Sequence, residues 1–420
     1  MTNAGIGDIL LLMNKKTEVN KESLGVGCFT VPKNARKYIA EVFRTKRLSY
    51  GPFLKRFEKE FSEAHEAEFG IVVNSGTSAL RIAVACLKED GRWMDGDEVI
   101  IPAVTFISDV NILIQQNLKP VFVDVDSRTY NIDPAKIVEK ITPRTRAIMV
   151  VHLFGQPAEM DPILSVAKKY KLKIIEDSCE TMFAKYKGRS VGSMGDIGCF
   201  STYVAHLIVT GVGGISITSK PKYAEIMRSL ANHGRDGVYI SIDDGKNKKG
   251  KKLTEIISKR FSFVRPGYSF RLTEFEGALG CAQIEVAPKD FAKRISNAKY
   301  LLKALQPLEK YIQLPWHPDY SEHVFMMFPL VIKGGTKVKK AELVNYLEKH
   351  SVETRDMLPL INQPFVKKVL GIKEKNYPVA DWINKNGFYI GCHQEMRKVE
   401  LDHIVRTLSS YFRLKKQTRI

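Results

Sequence analysis

The stretch GIVVNSGTSAL, residues 70–80, joins a short apolar run to a glycine-containing turn and an apolar helical pattern. The run at 70–73 predicts a strand, and the pattern at 78–87 predicts a helix. No polar residue interrupts the run, as expected when both faces of a strand are buried in a parallel sheet. The turn at 74–77 exposes the backbone N–H groups of a helix start, where an anion can bind. Packing alone also produces turns of this kind.

The same alternation continues along the chain. Continuous apolar runs are followed by stretches with helical spacing, which predicts crossover units and a large, mostly parallel α/β sheet. In such sheets ligands bind beyond the carboxyl ends of the strands, so the residues just after each strand are the candidates for chemistry. The further predicted strands are 97–101, 120–124, 147–153 and 173–176.

A second unit is predicted in the C-terminal part of the chain. A lysine-rich segment near residues 243–260 interrupts the alternation and is interpreted as a surface insertion. We therefore predict a large α/β domain over residues 1–285 and a smaller α+β domain over residues 286–420. The elements predicted after the insertion are helices at 273–286, 291–305, 341–349 and 400–412 and a strand at 324–332.

The composition is that of a folded protein with reduced cysteines. With 420 residues, 44% of them hydrophobic, the chain is long enough for two packed cores and too apolar for a disordered protein. No apolar run approaches the roughly 20 residues of a membrane span, and the patch at 9–13 lacks the features of a secretion signal. Six scattered cysteines without a CxxC pair indicate neither a zinc site nor a disulfide framework. We expect a cytoplasmic protein without a metal site.

The net charge of +19 arises partly from the stretch 246–252 and from a C-terminal tail with Arg413, Lys415, Lys416 and Arg419. One interpretation is solvated loops and a frayed chain end. The other is a field that attracts anions such as phosphorylated small molecules, nucleic acid or acidic lipid. Aromatic residues are not interleaved with these lysines, which argues against nucleic acid as a partner.

Two side chains that follow predicted strands are candidates for holding an aromatic cofactor. Phe106 comes after the second strand, where it can lie flat against a ring or belong to the core. Asp177 comes directly after the fifth strand, where its carboxylate can hold a pyridinium N–H or cap a helix. Further small and polar residues follow at 195–206 and 210–214. Each signal is weak alone, but together they lie in order on successive strand ends.

These motifs together resemble the sugar aminotransferase and dehydratase family, of the DegT/DnrJ/EryC1/StrS type, among the fold type I enzymes that use pyridoxal 5′-phosphate (PLP). The resemblance covers roughly residues 35–412. It implies an aspartate aminotransferase-like fold, with a large, mostly parallel α/β domain and a smaller C-terminal α+β domain. The motifs that carry it, in family order, are SGTSAL, PAVTF, VFVDVD, HLFGQPAEMD, IIEDSCE, KYKGRSVGSMGDIGCFS, TGVGG and GYSFRLTEFEGALG.

The resemblance implies which residues hold the cofactor phosphate. The backbone of Gly76 and Thr77 would bind it, with the hydroxyl of Ser201 assisting. In the family an asparagine reaches the phosphate of the neighbouring subunit from the position that is Ser269 here, and serine still offers a hydroxyl. The resemblance therefore implies a homodimer with shared active sites.

The resemblance also implies which side chains hold the pyridine ring of the cofactor. Phe106 would stack on the ring, and Asp177 would pair with the ring nitrogen. Glu180 would lie near the ring hydroxyl; transaminases tend to carry histidine or glutamine at this position. Together with the phosphate contacts, these residues complete the set that the motifs assign to cofactor binding.

His206 occupies the position that decides the chemistry. Family members that transfer an amino group carry a lysine five residues after the motif serine, and its amine bonds covalently to PLP. No lysine lies between Lys187 and Lys220, so no neighbouring residue in the sequence supplies one. The cofactor, as PLP or pyridoxamine 5′-phosphate (PMP), would therefore be bound non-covalently. An imidazole can still move protons, with an unperturbed pKa of about 6.5.

Among relatives, this exchange of lysine for histidine marks the nucleotide-sugar 3-dehydratases of the GDP-4-keto-6-deoxymannose type. The resemblance therefore implies removal of the C3 oxygen from a nucleotide-linked 4-keto-6-deoxyhexose in deoxysugar and polysaccharide biosynthesis. Glutamate would supply the amino group, and His206 would be the acid/base. Residues 215–266 contain no cysteine, so the iron–sulfur type of this enzyme is not indicated.

Three residues depart from the family pattern and leave alternatives open. Val212 replaces the usual glutamate of TGEGG, Leu207 stands where the dehydratases often have a second histidine, and Ser269 replaces asparagine. A nucleotide-sugar aminotransferase that works without the lysine is one alternative. A relative that binds PLP or a nucleotide sugar without turnover is another. The nucleotide and the sugar are not determined by these motifs.

Overall fold

The computed structural model describes residues 24–236, 247–259 and 261–417. The apolar patch at 9–13, Lys246 and Arg419 lie outside these ranges. No helix within them combines the length and apolar character that a membrane crossing requires.

A seven-stranded mixed sheet forms the centre of residues 69–218, in the order β1-β9-β8-β5-β4-β2-β3. The neighbours from β8 to β3 are parallel, whereas β9 is antiparallel to both β8 and β1. A separate hairpin is formed by β6 and β7. The bounds are β1 Phe69–Val73, β2 Glu98–Pro102, β3 Lys119–Val123, β4 Thr145–Val151, β5 Lys173–Asp177, β6 Lys185–Tyr186, β7 Arg189–Ser190, β8 Ile197–Ser201 and β9 Gly214–Thr218.

The five strands predicted in this region are confirmed to within two residues at each end, and the prediction of a mostly parallel α/β sheet is confirmed. The sequence did not predict β8 and β9. Their residues IGCFS and GISIT contain glycine and serine, which weaken the apolar signal of a strand. Both strands are nevertheless buried along their whole length.

Helices cover both faces of this sheet. Alternate residues of a strand point to opposite faces, and Val99 and Ile101 belong to one apolar cluster whereas Ile100 belongs to another. The helices are α1 Ala35–Thr45, α2 Pro52–Ala64, α3 Gly76–Gly91, α4 Ser108–Ile114, α5 Met160–Tyr170, α6 Pro221–Ala231, α7 Gly250–Lys259, α8 Glu274–Leu305, α9 Lys340–Lys349, α10 Pro364–Leu370, α11 Pro378–Asn386 and α12 Lys398–Gln417. The first apolar cluster includes residues of α3, α4 and α6, and the second includes residues of α2, α5 and α8.

A four-stranded antiparallel sheet follows in the C-terminal part, in the order β10-β11-β13-β12. It packs with parts of α8, α9 and α12 around a third apolar cluster. The predicted strand at 324–332 begins later than expected. The bounds are β10 Ile312–Gln313, β11 Phe328–Ile332, β12 Thr354–Asp356 and β13 Gly387–Ile390.

The prediction of two helices at 273–286 and 291–305 is wrong, because α8 is one continuous helix of 32 residues. Pro288 lies inside it. A proline interrupts helix hydrogen bonding, which made the sequence look broken there, but buried residues on both sides hold the helix together. The boundary predicted between residues 285 and 286 falls within α8, and the two-domain division stays a prediction.

The lysine-rich segment is partly described. Lys248, Lys249, Lys251 and Lys252 are exposed, and they lie just before or within α7. A single residue of α7, Ile256, is buried. The described part of the segment therefore contains a surface helix, α7.

Candidate active site

The strand register brings the turn after β1 next to the end of β8. Gly214 of β9 is paired with Val73 on one side and with Ser201 on the other. Because β9 is antiparallel to both neighbours, β1 and β8 run in the same direction. Their carboxyl ends therefore meet at the edge where the parallel strands β2, β4 and β5 also end.

The turn at 74–77 is closely packed and opens α3. The Ser75 hydroxyl accepts a hydrogen bond from the Ser78 N–H at 3.0 Å and caps the helix. A Cβ on Gly76 would lie 2.6 Å from the Cβ of Ser201 and 2.8 Å from the Sγ of Cys179. Only glycine fits at this distance. Gly76, Thr77 and Ser201 are thus brought together, with Thr77 exposed at the helix start.

Asp177 is the last residue of β5 and is only 5% exposed. Its Oδ1 accepts a hydrogen bond from the Cys179 N–H at 3.0 Å. The alternative that Asp177 caps a helix is wrong, since the next elements of the described chain are the strands β6 and β7. Burial raises the pKa of Asp177 above its ordinary value.

Phe106 lies beyond the end of β2, and its residue surface is 57% exposed. The alternative that it belongs to the core is therefore wrong. A large aromatic ring left open at the edge of the sheet costs hydrophobic stabilisation unless something covers it. A planar ligand stacked on this ring would supply that cover.

Asp109 is a buried carboxyl of this edge that the sequence analysis missed. It is 0% exposed, one helix turn after Thr105, whose hydroxyl donates to Asp109 Oδ2 at 2.6 Å. Its side chain is within hydrogen-bonding contact of Asp177. Burial, and then the charge of Asp177, raise the pKa of Asp109 well above its ordinary range. A lone carboxylate within the apolar segment ISDVNILI was the available signal.

Glu180 lies three residues beyond Asp177, and its Oε2 accepts a hydrogen bond from the Phe154 N–H at 3.1 Å. Burial, together with the nearby charge of Asp177, raises the pKa of Glu180 to about 7. Both the neutral and the ionised form of the Glu180 carboxyl are therefore populated near neutral pH.

His206 lies in the loop between β8 and β9. Its backbone N–H donates a hydrogen bond to the Tyr203 carbonyl at 2.9 Å. The rings of His206 and Tyr203 are arranged edge to face, with their centroids 6.5 Å apart. The ring is half-buried, and its Nδ1 is buried without a hydrogen-bond partner among the residues that the structure describes. Burial lowers the pKa of His206 to about 4. The imidazole is thus neutral at pH 7 and has a nitrogen available for a proton.

The protonation state of His206 can be checked directly. We expect the ring proton signals of His206 in an NMR titration to stay unchanged from about pH 6 to pH 8 and to move only near pH 4, because burial disfavours the imidazolium. Signals assigned by loss in His206→Asn would identify the residue. A midpoint near 6.5 would contradict the buried, neutral state.

Ser269 is placed near the turn at 74–77 but is exposed. Its hydroxyl accepts a hydrogen bond from Arg271 Nη2 at 2.9 Å. The carbonyl of the next residue, Phe270, accepts from the Asn74 N–H at 2.8 Å. The predicted contact of Ser269 with a neighbouring subunit stays a prediction.

The residues at this sheet edge fit a phosphorylated aromatic cofactor. The absence of a side chain at Gly76 lets this helix start approach Ser201 closely, so backbone N–H groups and the Ser201 hydroxyl lie together, which suits an anion. Phe106 offers an exposed ring face, and the buried Asp177 offers a carboxylate to a cationic ring nitrogen. The unpartnered Nδ1 of His206 remains available for proton transfer.

A seven-stranded mixed sheet with these groups at its carboxyl edge defines the fold of the aspartate aminotransferase-like, fold type I enzymes. The comparison with known sequences identifies the group within this class. The chain matches the DegT/DnrJ/EryC1/StrS aminotransferase family over residues 30–409. It belongs to this family.

Individual relatives carry two different activities. The chain is 31% identical to a GDP-4-keto-6-deoxy-D-mannose 3-dehydratase of Yersinia pseudotuberculosis, over 85% of this chain and 90% of that protein. It is also 31% identical to a GDP-perosamine synthase of Caulobacter vibrioides, over 89% of this chain and 94% of that protein. The crystal structure of an E. coli GDP-4-keto-6-deoxy-D-mannose-3-dehydratase with bound hydrated PLP superimposes with a TM-score of 0.82 at 28% identity, covering 92% of this chain and 99% of that one.

Proposed function

We propose that this protein is a PLP- and PMP-dependent 3-dehydratase. It removes the C3 hydroxyl of a nucleotide-linked 4-keto-6-deoxyhexose, with glutamate as amino donor, in deoxysugar and polysaccharide biosynthesis. The observation that carries the proposal is His206, a neutral, half-buried imidazole at the position where the aminotransferases of the family have lysine. Similarity to 3-dehydratases in sequence and in structure supports it.

The cofactor phosphate is held by the start of α3. The N–H groups of Gly76 and Thr77 are at the positive end of the helix dipole, and the Ser201 hydroxyl is the adjacent donor. A second copy of the chain adds the hydroxyl of its Ser269 in the proposed homodimer. These contacts replace the covalent link that a lysine would provide.

The cofactor ring would be held between Phe106 and the carboxylates of the sheet edge. Phe106 would stack on the ring, Asp177 would pair with the ring nitrogen, and Glu180 would lie near the ring hydroxyl. When bound, the cofactor supplies an electron-withdrawing ring and an amino group that is regenerated from glutamate. A negative Asp177 would keep the ring nitrogen protonated, which makes the ring more electron-withdrawing.

His206 moves the protons of the reaction. Its neutral Nδ1 has no hydrogen-bond partner in the described chain, so a proton taken up there meets no competing donor. Because His206 cannot bond covalently to the cofactor as lysine does, it would not compete to release the amino group onto C4 of the sugar. The products are the 3-deoxy sugar, ammonia and 2-oxoglutarate, since two electrons pass from glutamate to the sugar as the C3–O bond breaks.

The proposal is tested by a two-stage assay. The protein with PLP and glutamate is expected to form PMP, seen by absorbance. Addition of a GDP- or CDP-linked 4-keto-6-deoxyhexose is then expected to give ammonia and a sugar that has lost the C3 oxygen, measured by mass spectrometry. Nitrogen retained on C4 would mean an aminotransferase, as in the GDP-perosamine synthases. PLP binding without any product would mean a non-catalytic relative.

Non-covalent binding is tested by borohydride reduction, which fixes PLP to a lysine when the two are bonded. We expect no mass increase on the wild-type polypeptide, because the chain has no lysine between Lys187 and Lys220. His206→Lys is the matched control and is expected to gain the mass of the reduced cofactor. A permanent adduct on the wild-type chain would overturn the proposal.

A further inference from the structure

Two carboxyl groups are in contact at the place where one is expected to hold the cofactor ring. Asp109 and Asp177 come from different segments, α4 and β5, and their side chains meet within hydrogen-bonding contact. Both are almost fully buried, at 0% and 5% exposure. Two buried carboxylates in contact cannot both be ionised at low cost, so one proton is retained by the pair.

The surroundings of the two side chains decide where the proton stays. Asp177 Oδ1 accepts a backbone N–H from Cys179, which stabilises a negative charge. Asp109 Oδ2 receives only the hydroxyl of Thr105, and Asp109 Oδ1 is buried without a donor among the described residues. A carboxyl oxygen without a donor is most easily satisfied by carrying the proton itself.

We propose that Asp109 is a positioning residue of this site: its carboxyl stays protonated at neutral pH and donates a hydrogen bond to the Asp177 carboxylate. The pair then carries one negative charge, which matches one pyridinium. The O–H of Asp109 also fixes the orientation of Asp177 from the side of α4. The role toward the cofactor rests on the proposed function, whereas the retained proton is a property of the chain alone.

Other ionisable groups also face this pair of carboxyls. The charge of Glu180 raises the pKa of Asp109, and the charge of Asp177 raises the pKa of Glu180, so a partly ionised Glu180 favours a protonated Asp109. His152 acts on Asp177 in the opposite sense. In the described chain, no lysine or arginine is among the strongest influences on the pKa of either aspartate. The thiols of Cys179 and Cys199 also lie near the pair.

The retained proton is tested by thermal unfolding of the full-length protein without added cofactor, from about pH 5 to pH 8. A folded state that holds a proton on Asp109 loses stability as the pH rises above the ordinary aspartate pKa, because the unfolded chain has released that proton. Asp109→Asn and Asp109→Thr need no such proton. We expect the melting temperature of each variant, relative to wild type, to rise by about 4 °C over this range.

The test depends on how the difference in melting temperature between variant and wild type changes with pH, and not on its size at one pH. Two variants of different shape therefore give the same answer even if one of them is destabilised. Asp319→Asn, at an exposed position, is the control and is expected to show no slope. Curves for Asp109→Asn and Asp109→Thr that stay parallel to wild type would overturn the inference. Because no cofactor is involved, this outcome is independent of the reaction the protein catalyses.

PLP binding tests the role toward the cofactor. Asparagine keeps an N–H donor toward Asp177 and an acceptor for Thr105, so Asp109→Asn is expected to bind PLP within about threefold of wild type at pH 7. A loss of about tenfold or more, with Asp319→Asn unchanged, would mean that a charged Asp109 is needed and would overturn the proposal. Failure of wild type to bind PLP would instead refute the proposed function.

Discussion

Replacement of His206 by asparagine is expected to lower kcat for the sugar by about 100- to 10,000-fold, the range for loss of a general acid/base. Asparagine keeps a polar side chain of similar size in the loop but cannot exchange a proton near neutral pH. Since His206 is not assigned to the phosphate or to the ring nitrogen, the affinity for PLP should change little. The measurement is steady-state ammonia release together with PLP titration.

A matched control separates the role of His206 from a general effect of losing histidine. His350→Asn removes an exposed imidazole at the end of α9 and is expected to leave turnover unchanged. Turnover in His206→Asn equal to that of wild type would show that another group moves the proton. The proposed reaction would then lose the observation on which it depends.

Replacement of Gly76 by alanine is expected to weaken PLP binding by about 100-fold. The added Cβ would lie 2.6 Å from the Cβ of Ser201, so the turn must move away from the Ser201 hydroxyl. Hydrogen bonds to a charged group contribute about 1.5–3 kcal/mol each, and the loss of about 3 kcal/mol corresponds to about 100-fold in affinity. Titration of the cofactor absorbance measures the change.

The matched control is Gly334→Ala, since an added Cβ at Gly334 meets no atom within 4 Å. It is expected to bind PLP as wild type does. The melting temperature of Gly76→Ala without cofactor shows whether the damage stays local. Unchanged PLP affinity in a well-folded Gly76→Ala would show that the phosphate is held elsewhere.

The parts of the fold that the sequence predicted are those with one uniform local signal. The strands with continuous apolar runs, such as β4 with its run at 147–151, were found because burial on both faces favours apolar residues at consecutive positions. The strands β8 and β9 were missed because glycines and serines replace apolar residues in them. Gly198, for example, has no room for a side chain, since its Cβ would lie 2.2 Å from the Gly192 carbonyl oxygen. Such contacts depend on tertiary structure.

Site residues were predicted where a local sequence motif marks them. They were missed where their role depends on contact with a residue from a distant part of the chain. Gly76, Asp177 and His206 could be singled out from the motifs around them. Asp109 could not be singled out, because its proposed role depends on contact with Asp177. The two residues are distant in the sequence and become neighbours only when β2 and β5 join one sheet. The pKa values of Glu180 and His206 likewise depend on burial, which no local pattern reports.

The unbroken course of α8 has a mechanical consequence. The helix packs against the large sheet at its start and against the C-terminal sheet at its end, so any rotation of one relative to the other must be absorbed along it. Pro288 deprives the backbone of one N–H, and the turn before it bends more easily than the rest. Any motion of one sheet relative to the other would therefore bend α8 at the turn before Pro288.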